Sequence, residues 1–164
     1  MEIAKILNDF LPEKIFDAHI HLYDESFAEN MGIFPENVRL NDFYSDMRKI
    51  FVNRKISTNI IPYPSKRIVK ESDCLQLSDS FLYNELEKDK NNVGEILVLP
   101  DETEEHIDKR IKGKQICGFK CYHTLNKAEN AWNLDIQDYL PEAAWRIADR
   151  RNMVITLHMV KDSE

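Results

Sequence analysis

Glycine is scarce in this chain. Only four of 164 residues are glycine, and none lies in a glycine-rich turn of the kind that cradles a phosphate. In a dinucleotide-binding sheet that turn follows the first strand. Here the place is taken by HLYDES, residues 21–26. No Gly/Ser linker and no low-complexity stretch divides the sequence, so one domain over residues 1–164 is expected. Basic charge is also in short supply, with 22 Lys and Arg against 29 Asp and Glu and a net charge of −7. Binding a phosphate backbone needs a concentrated basic surface, so nucleic acid is not an expected partner. No apolar run approaches the length of a membrane span, and the N-terminal MEIAKILNDF carries acids without a signal-peptide core. A membrane partner is therefore not expected either. The three cysteines, Cys74, Cys117 and Cys121, cannot all pair within one chain, which points to a reducing cytoplasm. CGFKC has three residues between its cysteines, the wrong spacing for a redox pair, and no second pair completes a zinc ribbon. Buried or half-buried thiols are expected.

What the chain does have is alternation. Hydrophobic residues make up 43% and charged residues 31%, a globular balance. Residues 2–10 read as a short amphipathic helix and KIFDAHI as a strand. Residues 24–41 form a long irregular connection containing Gly32 and Pro35, a candidate lid. NDFYSDMRKIFVNRK then starts a helix with Asn41 or Asp42 as N-cap, and puts Phe43, Met47, Ile50 and Phe51 on one face. STNIIPYP is a short strand closed by prolines. CLQLSDSFLYNELEKDK has helical spacing at Leu75, Leu77, Phe81, Leu82 and Leu86. GEILVLP reads as a strand buried on both faces, and ETEEHIDKRIKGK as a helix that begins acidic and ends basic. QICGFKCYH is a fourth strand, DIQDYLPEAAWRIADRR a helix, and MVITLHM a fifth strand. Strands alternating with helices imply parallel strands covered by helices. The missing glycine-rich turn favours a barrel over an open sheet. A full barrel takes at least about 200 residues, so the expected fold is an α/β incomplete TIM-type (β/α)8 barrel of about five parallel strands, truncated after the fifth.

Alternate residues of a strand face the same way and rise about 3.3 Å each, so His19 and His21 share a face roughly 6.6 Å apart. They lie at the carboxyl end of their strand, where barrel chemistry takes place. Two imidazoles can converge on one ion, but a metal needs three or four donors. His158, at the end of the fifth strand with Val154 and Thr156 on its own face, is the obvious third. Imidazoles suit zinc, and manganese is the alternative cofactor. His106 lies in a charged helix and reads as solvated. His123 is one residue out of phase with Lys120 and Tyr122, so it reads as a loop histidine in contact with substrate. Lys120 stands in an apolar strand, where a lysine is costly unless paired. It is an ion-pair partner of an unidentified acid, a substrate cation, or a carbamylated bridge between two metals. Arg39 is a candidate anchor for a substrate carboxylate, as are Lys66 and Arg67.

FDAHIHL, GFKCYH and ITLHM, in this order, resemble the amidohydrolase superfamily and specifically its amidohydrolase-related branch. GFKCYH followed by AWRIADRRNMVITLHM is the more specific part. The resemblance implies a distorted (β/α)8 barrel with one or two divalent metals, commonly zinc. It also implies His19 and His21 as first-strand ligands, His158 as the fifth-strand ligand, and Lys120 at the place of the bridging lysine of some members. It implies a cytoplasmic hydrolase that activates water against an amide, lactone or ester-like carbonyl of a small-molecule substrate. The family's later histidine and aspartate have no counterpart, so activity is expected to belong to a longer parent, with this chain a fragment. A decarboxylase of the same branch is the close rival. A TatD-like deoxyribonuclease would require a glutamate ligand, and Glu95 stands at the start of its strand, the wrong end for that. A non-catalytic half-barrel that associates through its open edges, with a partner or a second copy, is the remaining reading.

Overall fold

A computed structural model of the chain describes residues 6, 9–29, 35–128 and 131–159. Most of the helix expected over residues 2–10, together with Gly32, lies outside them. The described residues form a curled half-barrel, a single sheet of five strands in the order β1-β2-β3-β4-β5 with every pairing parallel. The strands are β1 Lys14–Leu22, β2 Lys55–Pro62, β3 Val93–Leu97, β4 Ile116–Tyr122 and β5 Val154–His158. Helices α1 Leu40–Ile50, α2 Arg67–Lys70, α3 Cys74–Glu87, α4 Glu104–Ile111, α5 Ile136–Tyr139 and α6 Glu142–Arg151 fill the crossovers. No helix among the described residues is long and apolar enough to cross a membrane.

The expected order of elements holds, and three local readings are corrected. Helix α1 is capped by Arg39, whose backbone N–H donates to Asp42 Oδ2 at 2.9 Å, so Asp42 serves as the third helical residue and Asn41 as the second. The helix ends at Ile50. Asn53 then turns with φ 59°, and Ile50 stays exposed. The expected helix over 135–151 is two helices, because Pro141 forces Leu140 into an extended conformation and begins α6. In α3, Phe81, Leu82 and Leu86 are buried as expected, whereas Leu77 faces outward; Ser78, Asp79 and Glu85 take buried places. The connection after β1 is held at both ends rather than free. Tyr23 and Val38 exchange backbone hydrogen bonds of 3.0 and 2.9 Å, and Phe27 is fully buried against Phe81. All three cysteines are free, with Cys74 and Cys121 buried and Cys117 half-buried.

The outer face of the sheet buries Ile60, Ile96 and Phe119 beneath the helices. Residues 95–98 are all buried, so β3 is covered on both faces. At Gly118 there is no room for a side chain: a Cβ there would stand 2.4 Å from the Val154 carbonyl oxygen.

The helices are tied down by buried ions. Arg110 of α4 forks onto Asp79 of α3 at 2.6 and 2.8 Å, donates to Glu102 at 2.6 Å, and reaches the Leu97 carbonyl at 2.7 Å. All three of these charged side chains are less than a tenth exposed. Glu85, fully buried in α3, accepts the Leu40 N–H at the start of α1 (2.9 Å) and two bonds from Lys88. Removing one partner of such a group leaves a buried charge uncompensated, which costs about 3–5 kcal/mol. Arg110→Ala is therefore expected to lower unfolding free energy by about that amount in urea denaturation. The exposed pair Arg146–Glu142 serves as the control, and breaking it is expected to change stability by less than about 1 kcal/mol.

Candidate functional site

The concave face of the half-barrel carries a line of polar side chains in an otherwise apolar sheet. The line starts at an irregularity in β1. Between Asp17 and Ile20 the strand gains one residue relative to β2, a β-bulge over Ala18 and His19. Side chains of β2 satisfy the backbone groups that the bulge frees. Thr58 Oγ1 donates to the Asp17 carbonyl at 3.0 Å, and Asn59 Nδ2 donates to the Ala18 carbonyl at 3.2 Å. Asn59 Nδ2 also donates to Glu95 Oε1 of β3 at 2.6 Å, and Thr156 of β5 donates to the same oxygen at 3.0 Å. The Cys117 thiol of β4 lies 3.6 Å from Asn59 Oδ1. One polar belt thus crosses all five strands.

Above the belt, the bulge turns His19 toward His21. Their Nε2 atoms are 3.2 Å apart, and the rings meet edge to face at 82°. His21 Nδ1 lies 3.2 Å from the Ile61 carbonyl. That carbonyl can only accept, so it fixes the proton on Nδ1 and leaves Nε2 as the acceptor in the contact with His19 Nε2. Burial pushes the His21 pKa down to about 4, against the pull of the Ile61 carbonyl. Burial and then the Lys120 charge also lower that of His19, opposed by Asp17. Both rings are neutral donors near pH 7.

Two nitrogens 3.2 Å apart, each at about 2.05 Å from a metal, subtend an angle of about 100°, close to tetrahedral. His158 stands on the same concave side. It alternates with Thr156 along β5, and His19 and Lys120 are among the charges that lower its pKa after burial and His123. Its ring, however, is stacked on Tyr122 at 4.2 Å and 12°. Among the described residues, no group of three His, Cys, Asp or Glu side chains is close enough together to hold a metal. The expected meeting of three imidazoles around one ion is not found among the described residues: His19 and His21 meet each other, and His158 stacks on Tyr122.

The other expected site residues are dispersed. His123 is buried, stacked beside His158 at 5.2 Å and against Trp132 at 4.9 Å, and neither ring nitrogen has a hydrogen-bond partner. It lies in the turn just after β4, as expected of a loop histidine, and is buried there. Arg39 is engaged by Asp24 at 2.8 Å and Glu85 at 3.5 Å, so its guanidinium braces the connection after β1, and this placement gives a substrate-anchoring role no support. Arg67 forks onto Glu71 at 2.8 Å and donates to the Glu25 and Ala28 carbonyls. His106 is exposed beside Glu102. Lys120 is buried on the concave face between the belt and the histidines, its Nζ 5.0 Å from the centre of the Tyr122 ring. Sequence reasoning set Glu95 aside and did not single out Asn59. A carboxylate in a strand buried on both faces was the available signal, because such a group has to find donors.

The chain matches no known family model, and no curated protein and no solved structure matches it.

The depressed His21 pKa has a signed consequence. In the fold the ring stays neutral down to about pH 4, while in the unfolded chain it gains a proton near 6.5. Its contribution is complete above pH 6.5 and is lost as pH falls toward 4, by at most about 3 kcal/mol. Thermal unfolding of metal-free protein between pH 7 and pH 4 should show this slope, and His21→Gln should flatten it.

Proposed function

We propose that this half-barrel belongs to a metal-dependent hydrolase of the amidohydrolase-related, TIM-type kind. His19 and His21 are the first two ligands, and His158 is the third after its ring leaves Tyr122. The observation that supports this reading most is the convergence of two neutral Nε2 atoms, one of them locked in tautomer by the Ile61 carbonyl. A divalent ion, zinc before manganese, would supply Lewis acidity toward a carbonyl oxygen and make water nucleophilic near neutral pH. The residues of this chain do the rest. Ile61 holds the His21 proton on Nδ1, Asn59 and Thr58 fix the bulge that aims His19, and Lys120 offers a cation to the oxygen of a small-molecule substrate. A decarboxylase would use the same ligands and differ in the substrate alone.

Competition titration with a zinc chromophore, backed by elemental analysis, tests the site. The protein should bind one zinc, and His19→Ala and His21→Ala should each weaken binding by at least tenfold. Equal binding by all three would end the proposal. For activity, lactones and amides set against β-keto acids divide hydrolase from lyase.

A second reading has its own observation. Strands β1 and β5 are each paired on one side only among the described residues, and Phe16 and Val154 on them are more than half exposed. Such edges favour association with further strands, from a partner or a second copy. Gel filtration over a hundredfold range of concentration should then show mass increasing, whereas a constant monomer rules the reading out.

A further inference from the structure

Two opposite charges lie buried beneath the histidine pair, and neither is closed by a direct ion pair. Lys120 is 2% exposed and Glu95 1%. Glu95 Oε1 is saturated by Asn59 and Thr156, while its Oε2 is buried without a hydrogen-bond partner. In register, Glu95 faces Gly118 and Leu97 faces Lys120, so Glu95 and Lys120 are diagonal neighbours on adjacent strands, within reach of a long side chain. Every other buried carboxylate on the helix side, Asp79, Glu85 and Glu102, has its cation at 2.6–2.8 Å. The concave pair is the exception.

We propose that Glu95 is the positioning residue for Lys120: clamped by Asn59 and Thr156, it is the buried counter-charge that holds the Lys120 ammonium on the concave face, over the Tyr122 ring. This deepens the proposed function by saying what holds the cation that a substrate oxygen would meet, but the pair itself needs neither metal nor activity. The groups around Lys120 leave Glu95 this role. Burial alone drives an amine toward its neutral form. From β3 only Glu95 opposes that, and from β4 Cys121 adds a smaller pull. Cys117 and Tyr122 of β4 are held neutral by burial. His19 and His21 of β1 and His158 of β5 are uncharged near pH 7 and add no negative charge. The ammonium in turn bears on all three imidazoles and disfavours their protonation.

Two readouts on metal-free protein test the pair. The first is the side-chain NMR titration of Lys120. Glu95→Gln should move its midpoint down by at least one pH unit, and Glu95→Asp should recover part of the shift. The second is thermal unfolding against pH. Lys120→Met leaves Glu95 a lone buried carboxyl with its pKa raised further above the ordinary 4.5. Unfolded chain ionises at that ordinary value, so the Tm of Lys120→Met, taken relative to the parent at each pH, should drop as pH rises from 4.5 to 8. The double variant Glu95→Gln/Lys120→Met should lose that added fall, keep only the histidine-linked rise below pH 6.5, and melt above Lys120→Met at pH 8. An unmoved Lys120 midpoint in Glu95→Gln overturns the proposal. So does a Lys120→Met profile parallel to the parent, and this decides the matter if Glu95→Gln does not fold. Failure of the parent protein to bind zinc would end the metal reading and leave both outcomes here intact.

Discussion

The Asn59 carboxamide bonds to a backbone carbonyl of β1 and to a carboxylate of β3, with a β4 thiol at its oxygen. Through Glu95 it is joined to Thr156 of β5. The rest of the concave face depends on this side chain. A bulge in β1 leaves carbonyls without ladder partners, and an unpaired buried carbonyl costs as much as a lost hydrogen bond. Asn59 and Thr58 supply those partners and so make the bulge tolerable. The bulge in turn brings two imidazoles, one strand repeat apart, to 3.2 Å at their tips. Loss of Asn59 would be felt in the placement of His19, in the clamp on Glu95 and, through Glu95, at Lys120.

Charge is buried on both sides of the sheet, in two different ways. On the helix side, Arg110, Asp79 and Glu102 form a closed set with short bonds, and Glu85 caps a helix start while holding Lys88. These groups join α1, α3 and α4 to the strands and have no open valence. On the concave side, Glu95 Oε2 and both nitrogens of His123 lack hydrogen-bond partners. The buried carboxylates of the helix side are each closed by a cation, and Glu95 on the concave side is not.

Much of this was legible in the sequence. Five apolar runs separated by helical spacing gave the strand order, because parallel strands covered by helices read as apolar runs. The H-x-H spacing placed both imidazoles on one face, and the phase of His158 with Thr156 placed it there as well. Distances were not legible. Nothing in FDAHIHL announces a bulge, since the residues that stabilise it lie about 40 positions away in β2. The stacking of His158 on Tyr122 depends on the β4–β5 register, which pairs those two residues directly. Glu95 was visible but misjudged: distance from the strand end was weighed, and the requirement that a buried carboxylate find donors was not. Arg39 looked free because Asp24 and Glu85 come near it only after the chain has folded around Phe27.

The narrow gap between β4 and β5 makes position 118 a hidden determinant of the site. A methyl group there would wedge the two strands apart at their lower end and tilt the whole edge of the half-barrel. The Tyr122–His158 stack and the Thr156 clamp on Glu95 lie farther along that same edge, so both would shift together. A residue with no side chain thus bears on where the His158 ring stands. Natural or laboratory variation should spare it as strictly as the histidines themselves.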